Sequence, residues 1–460
     1  MKVLLVFPNT GILTGEPPIG LGYIAACLRQ KHVDVSILDM TFQPSFSLAQ
    51  DIIINKKPDI VGIYTSTVML KDAYKIALIA KNYGVKLVVL GGPHATVLPE
   101  ETLGNSAADV LVAGEGEHVF CEIVDKFTKN FALKELLLIP SVYVKINNNV
   151  LKNDKRYFIA DPDTIPFPAR DLFDMKKYIK RWFQLDGVDS NLTGTNIFTS
   201  RGCPFSCSFC QPALKSIFGT THRRRSPKNI ADEIESLKET YGIKAVQIVD
   251  DLFFINESYI EDFCNQLLKR KLNVIWGAQS RIDTVPNDRI LELAYKAGLR
   301  LMSLGIEAGT PRIVKLYEKK ISLENVNPVI EKIRAHQIKT RGYFIIGAPT
   351  ETVPEIKKTI SFATDLRLSE AAFSVLAPFP GTYIHETAKS NGWAVTKNWG
   401  YEHYYARGGF LSGTLDDKVI RKYQRIAFLK FYFHPYRIKY LINSLLNPRK
   451  AFTKIMCYFF

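Results

Sequence analysis

The sequence lacks any apolar run of the roughly 18–20 residues needed to cross a bilayer. Cysteine is scarce, with seven in 460 residues, and three of these fall within eight positions. The N-terminal MKVLLVFPNT has a short apolar stretch without a small-residue cleavage site after it, which predicts a strand rather than a signal peptide. These shortages argue against membrane-spanning, fibrous and disulfide-rich secreted classes. We expect a cytoplasmic protein.

Acidic residues are absent from Lys418 to the end of the chain, where ten Lys and Arg occur. This segment supplies most of the net charge of +15, and the rest of the chain carries only +5. A nucleic-acid footprint over the whole protein is therefore not indicated, and we expect no nucleic-acid partner.

Strand and helix patterns alternate twice along the chain. In residues 1–140, five mostly apolar strands predict a doubly wound parallel sheet of the Rossmann-like type, buried on both faces. A hairpin and a proline-rich linker occupy 141–190. Six further strand–helix units in 191–390 predict a partial or complete α/β barrel. The remainder, 391–460, is predicted to be basic and mainly helical. In both parallel folds, ligands bind at the carboxyl ends of the strands.

The cysteine cluster SRGCPFSCSFCQP follows the first barrel strand directly. Its Cys203, Cys207 and Cys210 form a CxxxCxxC array, and cysteine thiolates are the usual ligands of iron–sulfur clusters. Three thiolates on a four-iron cluster leave one iron open to another ligand. A zinc knuckle is the alternative, but tetrahedral zinc would want a fourth ligand, and His222 beside three arginines is a poor candidate.

In this array the sequence resembles the radical S-adenosylmethionine (SAM) superfamily. IVDDLFFIN (248–256), WGAQSRID (276–283), MSLGIEAGT (302–310), GYFIIGAPTET (342–352) and PFPGT (378–382) extend the resemblance in order and spacing. It implies a [4Fe-4S] cluster on the three cysteines, with SAM chelating the open iron. Reduction would then cleave SAM to methionine and a 5′-deoxyadenosyl radical.

Three polar residues at barrel strand ends are candidates for contacts with SAM or the substrate. Arg281 could pair with the methionine carboxylate of SAM through both guanidinium nitrogens. Glu307, flanked by Gly305 and Gly309, lies where the resemblance places SAM, and Asp250 ends the second strand. For each of them, a satisfied residue of the barrel rim is the structural alternative.

The first domain narrows the resemblance to the cobalamin-binding class of radical SAM enzymes, in which the corrinoid lies between the two domains. The matching pieces are residues 8–28, 64–68, 90–101 and 112–120. Glycines at the strand ends would let a broad macrocycle approach the backbone, and hydroxyl groups would meet amides or phosphate. The cofactor-binding residues predicted here are Thr65, Ser66, Thr67, Gly91, Gly92, His94, Gly114, Glu115 and Gly116.

One departure from the cobalamin pattern concerns the lower axial ligand. Domains that ligate cobalt through histidine carry DxHxxG, whereas this chain has Asp39-Met40-Thr41-Phe42-Gln43-Pro44. Thr41 stands in place of the histidine. We therefore expect cobalamin binding without a lower imidazole from this domain, with His94 contacting the corrin edge or starting a helix.

The resemblance implies an enzyme that uses a [4Fe-4S] cluster, SAM and cobalamin, with methylation of an unactivated carbon of a small or lipid-like substrate as its reaction. Radical cyclisation or rearrangement on the same cofactors is the close alternative. A tRNA methylthiotransferase would want three more cysteines in the first domain, where only Cys27 and Cys121 occur. A non-catalytic corrinoid or iron–sulfur sensor is the fourth hypothesis. Flavodoxin or ferredoxin is the expected electron donor.

The basic tail allows two interpretations. Ile420, Tyr423, Ala427 and Phe431 fall on one helical stripe, with basic residues mostly off it. The apolar stripe repeats at Ile438, Leu441, Ile442 and Leu445, and aromatic residues follow at Phe452, Tyr458, Phe459 and Phe460. Two helices packed on the barrel with a solvated basic face explain this pattern. A peripheral anchor at the inner face of the membrane explains it too, because basic residues and interfacial aromatic residues favour anionic lipid.

Overall fold

The computed structural model of the chain describes residues 1–8, 14–129, 131–393 and 415–437. The strands are β1 Lys2–Phe7, β2 Asp34–Asp39, β3 Ile60–Tyr64, β4 Leu87–Gly91, β5 Val110–Val112, β6 Val142–Ile146, β7 Asn149–Lys152, β8 Gly194–Ile197, β9 Ser200–Arg201, β10 Arg223–Arg224, β11 Ala245–Ile248, β12 Ile275–Arg281, β13 Leu299–Glu307, β14 Lys339–Ile346 and β15 Glu370–Val375.

The helices alternate with these strands. They are α1 Ile19–Gln30, α2 Phe46–Lys56, α3 Leu70–Asn82, α4 Pro93–Val97, α5 Pro99–Gly104, α6 Glu117–Phe127, α7 Met175–Arg181, α8 Ala213–Phe218, α9 Pro227–Tyr241, α10 Glu257–Lys269, α11 Asp288–Lys296, α12 Pro311–Leu316, α13 Val326–Ala335, α14 Val353–Asp365, α15 Tyr383–Ser390 and α16 Asp417–Tyr432.

The first sheet has the strand order β2-β1-β3-β4-β5-β6-β7, and its first five strands are parallel. The inner strands β1, β3, β4 and β5 are almost wholly apolar, as expected where both faces of a sheet are covered. In β1, Val3 and Leu5 pack into the core on one face, and Leu4 and Val6 pack into the core on the other. The predicted doubly wound parallel sheet is confirmed.

The hairpin that follows this sheet extends it. β6 pairs antiparallel with β5, and β7 pairs antiparallel with β6. Asn147 and Asn148 both have positive φ in the turn, a conformation that asparagine tolerates better than most residues. The hairpin, expected from sequence to be part of the connection between the domains, therefore forms the edge of the first sheet.

The second sheet is an open barrel of six parallel strands in the order β8-β11-β12-β13-β14-β15. Helices pack on its outer surface, where Trp276, Phe253 and Phe263 form an aromatic cluster with ring centroids 5.3–5.7 Å apart. The expected partial barrel is confirmed. Parallel strands end at the same edge, so the loops after them form one rim.

The segment that links the domains closes the base of the barrel. Trp182, just after α7, is fully buried and donates from Nε1 to Oδ1 of Asn196 at 2.9 Å. A Cβ on Gly194 would lie 2.4 Å from the Trp182 ring, so glycine is needed there to admit it. The open side of the barrel consequently faces away from this end.

The final described helix, α16, packs on β15 through Ile420, Ala427 and Phe431. Arg437 holds the end of this segment, with Nε 3.0 Å from the Leu368 carbonyl oxygen. The packing expected of the first tail stripe is thus observed. The later apolar and aromatic tail positions lie outside the described residues: 438, 441, 442, 445, 452 and 458–460. Among the described helices, none has the length and hydropathy of a membrane span.

Candidate functional site

The cysteine-bearing loop begins just after β8 and is fixed at its base by Asp250. One oxygen of this buried carboxylate accepts the backbone N–H of Thr199 at 2.7 Å, and the other accepts the Ser200 hydroxyl at 2.7 Å. Gly202 has a φ of +86°, and a Cβ there would lie 2.9 Å from the Thr221 carbonyl oxygen. Asp250, expected to contact a cofactor, is therefore engaged in shaping the loop.

The loop then makes a tight turn that presents the three thiols. The backbone N–H of Cys210 bonds to the carbonyl of Cys207 at 3.0 Å. Phe209 packs edge-on against Tyr317 with centroids 5.3 Å apart, which covers the loop with apolar surface. Burial raises the pKa of Cys210 to about 12 and raises that of Cys203 as well. Binding of iron must therefore displace the thiol protons.

The three thiols belong to one short loop, and their chemistry can be compared with that of known metal sites. Over the part of the chain that the structure describes, no three Cys, His, Asp or Glu side chains form a group that could hold one metal ion. In an iron–sulfur cluster each thiolate binds a different iron atom, so its ligands stand farther apart than the ligands of one zinc ion. The donor set of three cysteines on one loop fits a cluster.

Arg281 lies beside the cysteine loop at the end of β12. Its Nη1 is 3.5 Å from the sulfur of Cys207. Its Nε bonds to Asp283 at 2.8 Å, and its Nη2 bonds to the Lys319 carbonyl at 2.6 Å. The structure places this predicted SAM ligand against the cluster loop, with most of its donors already in use.

Glu307 ends β13 in a left-handed conformation with φ of +71°. Its carboxylate pairs with Nζ of Lys319 at 2.8 Å, and both side chains are more than nine-tenths buried. A Cβ on Gly305 would lie 2.6 Å from the Glu307 carboxylate and 2.7 Å from that ammonium. Gly305 thus leaves room for the Glu307–Lys319 ion pair. Side chains of the protein therefore fill the space beside the strand end where SAM was expected.

A cavity of about 680 Å³ lies between the carboxyl ends of the first sheet and the rim of the barrel. Its walls are mainly apolar and aromatic, and both domains contribute to them. From the first domain come the predicted residues Gly91, Gly92, Gly114, Glu115 and Gly116. From the barrel come Phe198, Ser200, Arg201, Val249 and Asp251, which surround the base of the cysteine loop.

Three glycines form a side-chain-free floor in this cavity. A Cβ on Gly91 would meet only the Val112 carbonyl oxygen, at 3.6 Å. Gly114 has a φ of +85°, and a Cβ on Gly116 would press on Ile24 at 3.3 Å. A broad flat macrocycle could lie against this backbone. Larger residues at the three glycine positions would occupy the space that the macrocycle needs. The cavity therefore fits the corrin ring of cobalamin.

Four of the predicted cofactor residues lie behind this floor. Thr65, Thr67 and His94 are buried, and the Thr67 hydroxyl lies 3.0 Å from Nδ1 of His94. The backbone N–H of Thr65 donates to the Gly91 carbonyl at 2.7 Å. Burial lowers the pKa of His94 to about 4, so the ring is neutral near pH 7. Ser66 has a buried hydroxyl with no hydrogen-bond partner among the described residues, and it does not line the cavity.

Thr41, which replaces the axial histidine of the DxHxxG pattern, is buried in packing. Its backbone N–H donates to Asp39 at 3.0 Å, and the other oxygen of Asp39 accepts the Tyr178 hydroxyl at 2.5 Å. Asp39 thereby ties the first sheet to α7. This segment is occupied with joining the domains and offers no imidazole to cobalt.

Two carboxyl groups line the cavity without a direct ion pair in the described contacts. Burial, and secondarily Asp250, raises the pKa of Asp251 to about 7. Glu16 enters from the loop before α1, and its carboxylate accepts a hydrogen bond from Nε2 of Gln184. Burial raises the pKa of Glu16, while Asn196, Gln184 and Arg341 oppose that rise. The cavity thus offers hydrogen-bonding groups to a bound molecule at two points.

Three site residues escaped the sequence predictions: Glu16, Glu117 and Arg201. Glu117 and Arg201 occur within quoted motifs, VAGEGEHVF and SRGC, but nothing in the spacing shows that they meet across the domain boundary. The sequence feature that bears on Glu16 is the preceding Gly15. A Cβ on Gly15 would lie 2.5 Å from the backbone of Trp182, so glycine is needed where the loop that carries Glu16 meets the linker. A glycine before a charged residue is too common a pattern to reveal this by itself.

Family models match both parts of the chain. The B12 binding domain matches residues 12–124, and the Radical SAM superfamily matches residues 197–363. An uncharacterized methyltransferase of Pyrococcus horikoshii is 35% identical over 455 residues, covering 97% of this chain and 95% of that protein. The anaerobic magnesium-protoporphyrin IX monomethyl ester cyclase of Rubrivivax gelatinosus is 28% identical, covering 99% of this chain and 82% of that protein.

The fold is also found in a solved structure. The radical SAM methyltransferase TsrM from Kitasatospora setae, solved with cobalamin and a [4Fe-4S] cluster bound, superposes with a TM-score of 0.71 at 19% identity. The match covers 86% of this chain and 79% of that chain. Both the sheet domain and the barrel are thus shared with a protein that holds both cofactors.

Proposed function

The chain belongs to the cobalamin-dependent class of radical SAM enzymes, and from this premise we propose that it methylates an unactivated carbon of a substrate bound in the interdomain cavity. The single observation that carries the proposal is the position of that cavity. It touches both the glycine floor of the first sheet and the base of the cysteine loop. A carbon held there would lie between the two cofactor sites.

Each part of this site has a role in the proposal. Cys203, Cys207 and Cys210 hold the [4Fe-4S] cluster, while Asp250 and Arg281 fix the loop that carries them. When bound, the cluster supplies the electron that cleaves SAM, and cobalamin supplies the methyl group. The apolar walls exclude water, which protects a carbon radical from side reactions. Asp251 and Glu16 bind and orient polar groups of the substrate.

The lining supports a small, largely apolar or lipid-like substrate. Phe7, Tyr64, Phe120, Phe183 and Phe198 all contribute aromatic surface to the cavity. Such walls give affinity through apolar burial, and a few polar groups then set the orientation.

Methylation is favoured over cyclisation by the higher sequence identity, 35%, to the uncharacterized methyltransferase of Pyrococcus horikoshii. The cyclase of Rubrivivax gelatinosus, at 28% identity, makes radical cyclisation the second candidate. Extracts of cells with and without the gene, grown with methyl-deuterated methionine, distinguish the two by mass spectrometry. Methylation predicts a gene-dependent product that carries the labelled methyl group. A gene-dependent product that has lost hydrogen and gained no label would instead establish cyclisation.

The proposal also requires an electron donor, for which we expect flavodoxin or ferredoxin. Reconstituted protein should cleave SAM with the reduced donor as the sole reductant. Dithionite should replace the donor, because only the electron is needed. Cleavage that requires neither donor nor dithionite would contradict reductive chemistry.

A second part of the proposal concerns location. The outward face of α16 carries Lys422, Arg425 and Lys430, and beside them Leu429 and Phe433 are 51% and 62% exposed. Charge complementarity favours an anionic bilayer, since each basic residue near such a surface contributes roughly 1 kcal/mol. We include peripheral contact with the inner face of the membrane in the proposed function.

Vesicle binding tests this contact. Deleting α16 would uncover the barrel core, so surface substitutions are the cleaner probe. Leu429→Ser with Phe433→Ser should abolish co-sedimentation with phosphatidylglycerol vesicles, and salt should weaken binding of the unchanged protein. Leu138→Ser is the matched control, because Leu138 is 73% exposed elsewhere. Equal sedimentation of both variants would contradict the contact.

A further inference from the structure

A buried ion network crosses from the first domain to the base of the cysteine loop. Arg201 bonds to Glu115 at 2.6 Å through Nη1 and to Glu117 at 2.5 Å through Nη2. Arg223, paired with Arg201 across β9 and β10, reaches the other oxygen of Glu115 at 2.8 Å. These side chains are at most 13% exposed. Charge-assisted hydrogen bonds between buried groups are strong, and together they fix the positions of all four side chains.

The position of this network gives it functional meaning. Glu115 lies between Gly114 and Gly116, two glycines of the floor expected to receive the corrin. Arg201 precedes the cluster ligand Cys203 by two residues, with the constrained Gly202 between them. The loop of Gly114 and Gly116, expected to contact the corrin, is therefore bonded through Arg201 to the cysteine loop, expected to hold the cluster.

One acceptor in the network lacks a partner. Oε2 of Glu117 is buried and has no hydrogen bond to any described residue, while Glu117 lines the cavity. Its other oxygen is held by Arg201, which fixes the direction of the carboxylate. A buried charged oxygen without a donor is costly, so a ligand that brings an N–H group is favoured there. Cobalamin carries such donors, because carboxamide groups surround its corrin ring.

We propose that Glu117 binds carboxamide donors at the corrin edge and that Arg201 transmits this contact to the cysteine loop, so that corrinoid and cluster binding favour each other. A donor bound to Glu117 holds the carboxylate that orients Arg201, and a cluster on Cys203 holds the loop that carries Arg201, so each cofactor favours the arrangement that the other needs. The coupling must be reciprocal because it is a single free energy. This inference rests on the proposed function and assigns Glu117 as a residue that contacts the corrinoid and Arg201 as a positioning residue.

The experiment measures dissociation constants for hydroxocobalamin under anaerobic conditions, with and without prior reconstitution of the cluster. In the unchanged protein, the cluster should tighten hydroxocobalamin binding at least about fivefold, the lower end of typical couplings. In Arg201→Gln with Glu117→Gln, which removes one charge of each sign, the two constants should agree within about twofold.

The chain offers a matched control for this double substitution. Arg270 also binds two carboxylates, Asp232 at 2.6 Å and Glu235 at 3.2 Å, far from the site on α9 and α10. Arg270→Gln with Glu235→Gln should keep the full coupling. Thermal unfolding checks that both variants fold. If the first variant does not fold, Arg201→Lys serves instead. Lysine keeps the positive charge but has a single nitrogen in place of the two that bond to Glu115 and Glu117, so it should reduce the coupling.

The contact with the corrin edge is tested separately. Glu117→Ala should weaken hydroxocobalamin binding severalfold, whereas Glu122→Ala, on the exposed side of the same helix, should not. Coupling that survives in the Arg201 variants, or its absence in the unchanged protein, would overturn the inference while leaving the proposed function intact. Failure of the unchanged protein to bind hydroxocobalamin or iron would instead overturn the proposed function itself.

Discussion

The guanidinium of Arg281 lies 3.7 Å from the centre of the Phe205 ring, which belongs to the cysteine loop. Stacking of this kind is favourable, and it places a positive charge close to the sulfur of Cys207. The same side chain bonds to Asp283 and to the Lys319 carbonyl. Arg281 is therefore in a position to stabilise the anionic cluster and the loop that holds it.

Arg281→Lys is expected to weaken the cluster more than the binding of SAM. Lysine cannot stack on Phe205 while reaching Asp283 and the carbonyl of Lys319, and each charge-assisted bond lost costs about 1.5–3 kcal/mol. Iron content after desalting and the thermal midpoint should both fall. A variant with normal iron and at least about tenfold weaker SAM binding, a loss of roughly 1.4 kcal/mol, would show that Arg281 binds SAM directly.

Replacing Cys203, Cys207 and Cys210 together with Ala should abolish iron incorporation and SAM cleavage. Cys264→Ala should abolish neither, because Cys264 is fully buried in α10 among apolar residues. Its loss should cost only about 1 kcal/mol of stability through the small cavity created. Iron analysis and detection of 5′-deoxyadenosine measure both effects. SAM cleavage by the triple variant would be incompatible with the assigned ligands.

Cobalamin is expected to bind without a histidine of this domain on cobalt. Thr41 is buried beside Asp39, and His94 is bonded to Thr67 behind the glycine floor. Labelling the histidines of the protein with nitrogen-15 should therefore leave the paramagnetic resonance spectrum of the bound cob(II)alamin form unchanged, because any axial nitrogen would belong to the cofactor's own benzimidazole. A splitting that changes with this label and persists in His94→Asn would reveal a histidine ligand from another part of the chain.

His94 should make the protein less stable in mild acid. Burial lowers its pKa in the folded state to about 4, whereas the unfolded value is near 6.5. Between these values the unfolded chain binds the proton and the folded chain does not. Stability therefore falls as the pH is lowered through this window, by at most ~1.4 kcal/mol per pH unit from this group.

His94→Asn keeps an acceptor or donor near Thr67 and removes this titration. The thermal midpoint of the variant minus that of the unchanged protein should thus be larger at about pH 5 than at about pH 7. A difference that does not change with pH would mean that His94 does not resist protonation.

The fold and the placement of three thiols on one loop after the first barrel strand were predictable because their signals are local. Apolar strands such as β1 and β4 indicate a sheet with two covered faces. Three thiols within one short loop predict an iron–sulfur site. The glycine floor was predictable too, since Gly91, Gly114 and Gly116 end or follow strands, where a ligand can approach the backbone.

The roles of charged residues were less predictable because they depend on partners distant in sequence. Asp250 and Glu307 were expected to meet cofactors, yet the first binds Thr199 and the second binds Lys319. Glu115 lines the cavity as expected but also pairs with Arg201, 86 positions away. A spacing pattern shows which residue type is present, and only the packed structure shows whether its charge is already neutralised.

Gly15 provides a test of how the first domain reaches the barrel. A Cβ at this position would lie 2.5 Å from the backbone N and Cα of Trp182, so alanine must displace the loop or the linker. We expect Gly15→Ala to destabilise the protein by about 1–3 kcal/mol and to withdraw Glu16 from the cavity. Gly20→Ala is the matched control, because a Cβ on Gly20, in α1, would have no atom within 4 Å. Alanine in that helix should stabilise by roughly 0.5–1 kcal/mol. Thermal unfolding of the two variants measures the contrast, and equal midpoints would show that the loop does not depend on this close approach.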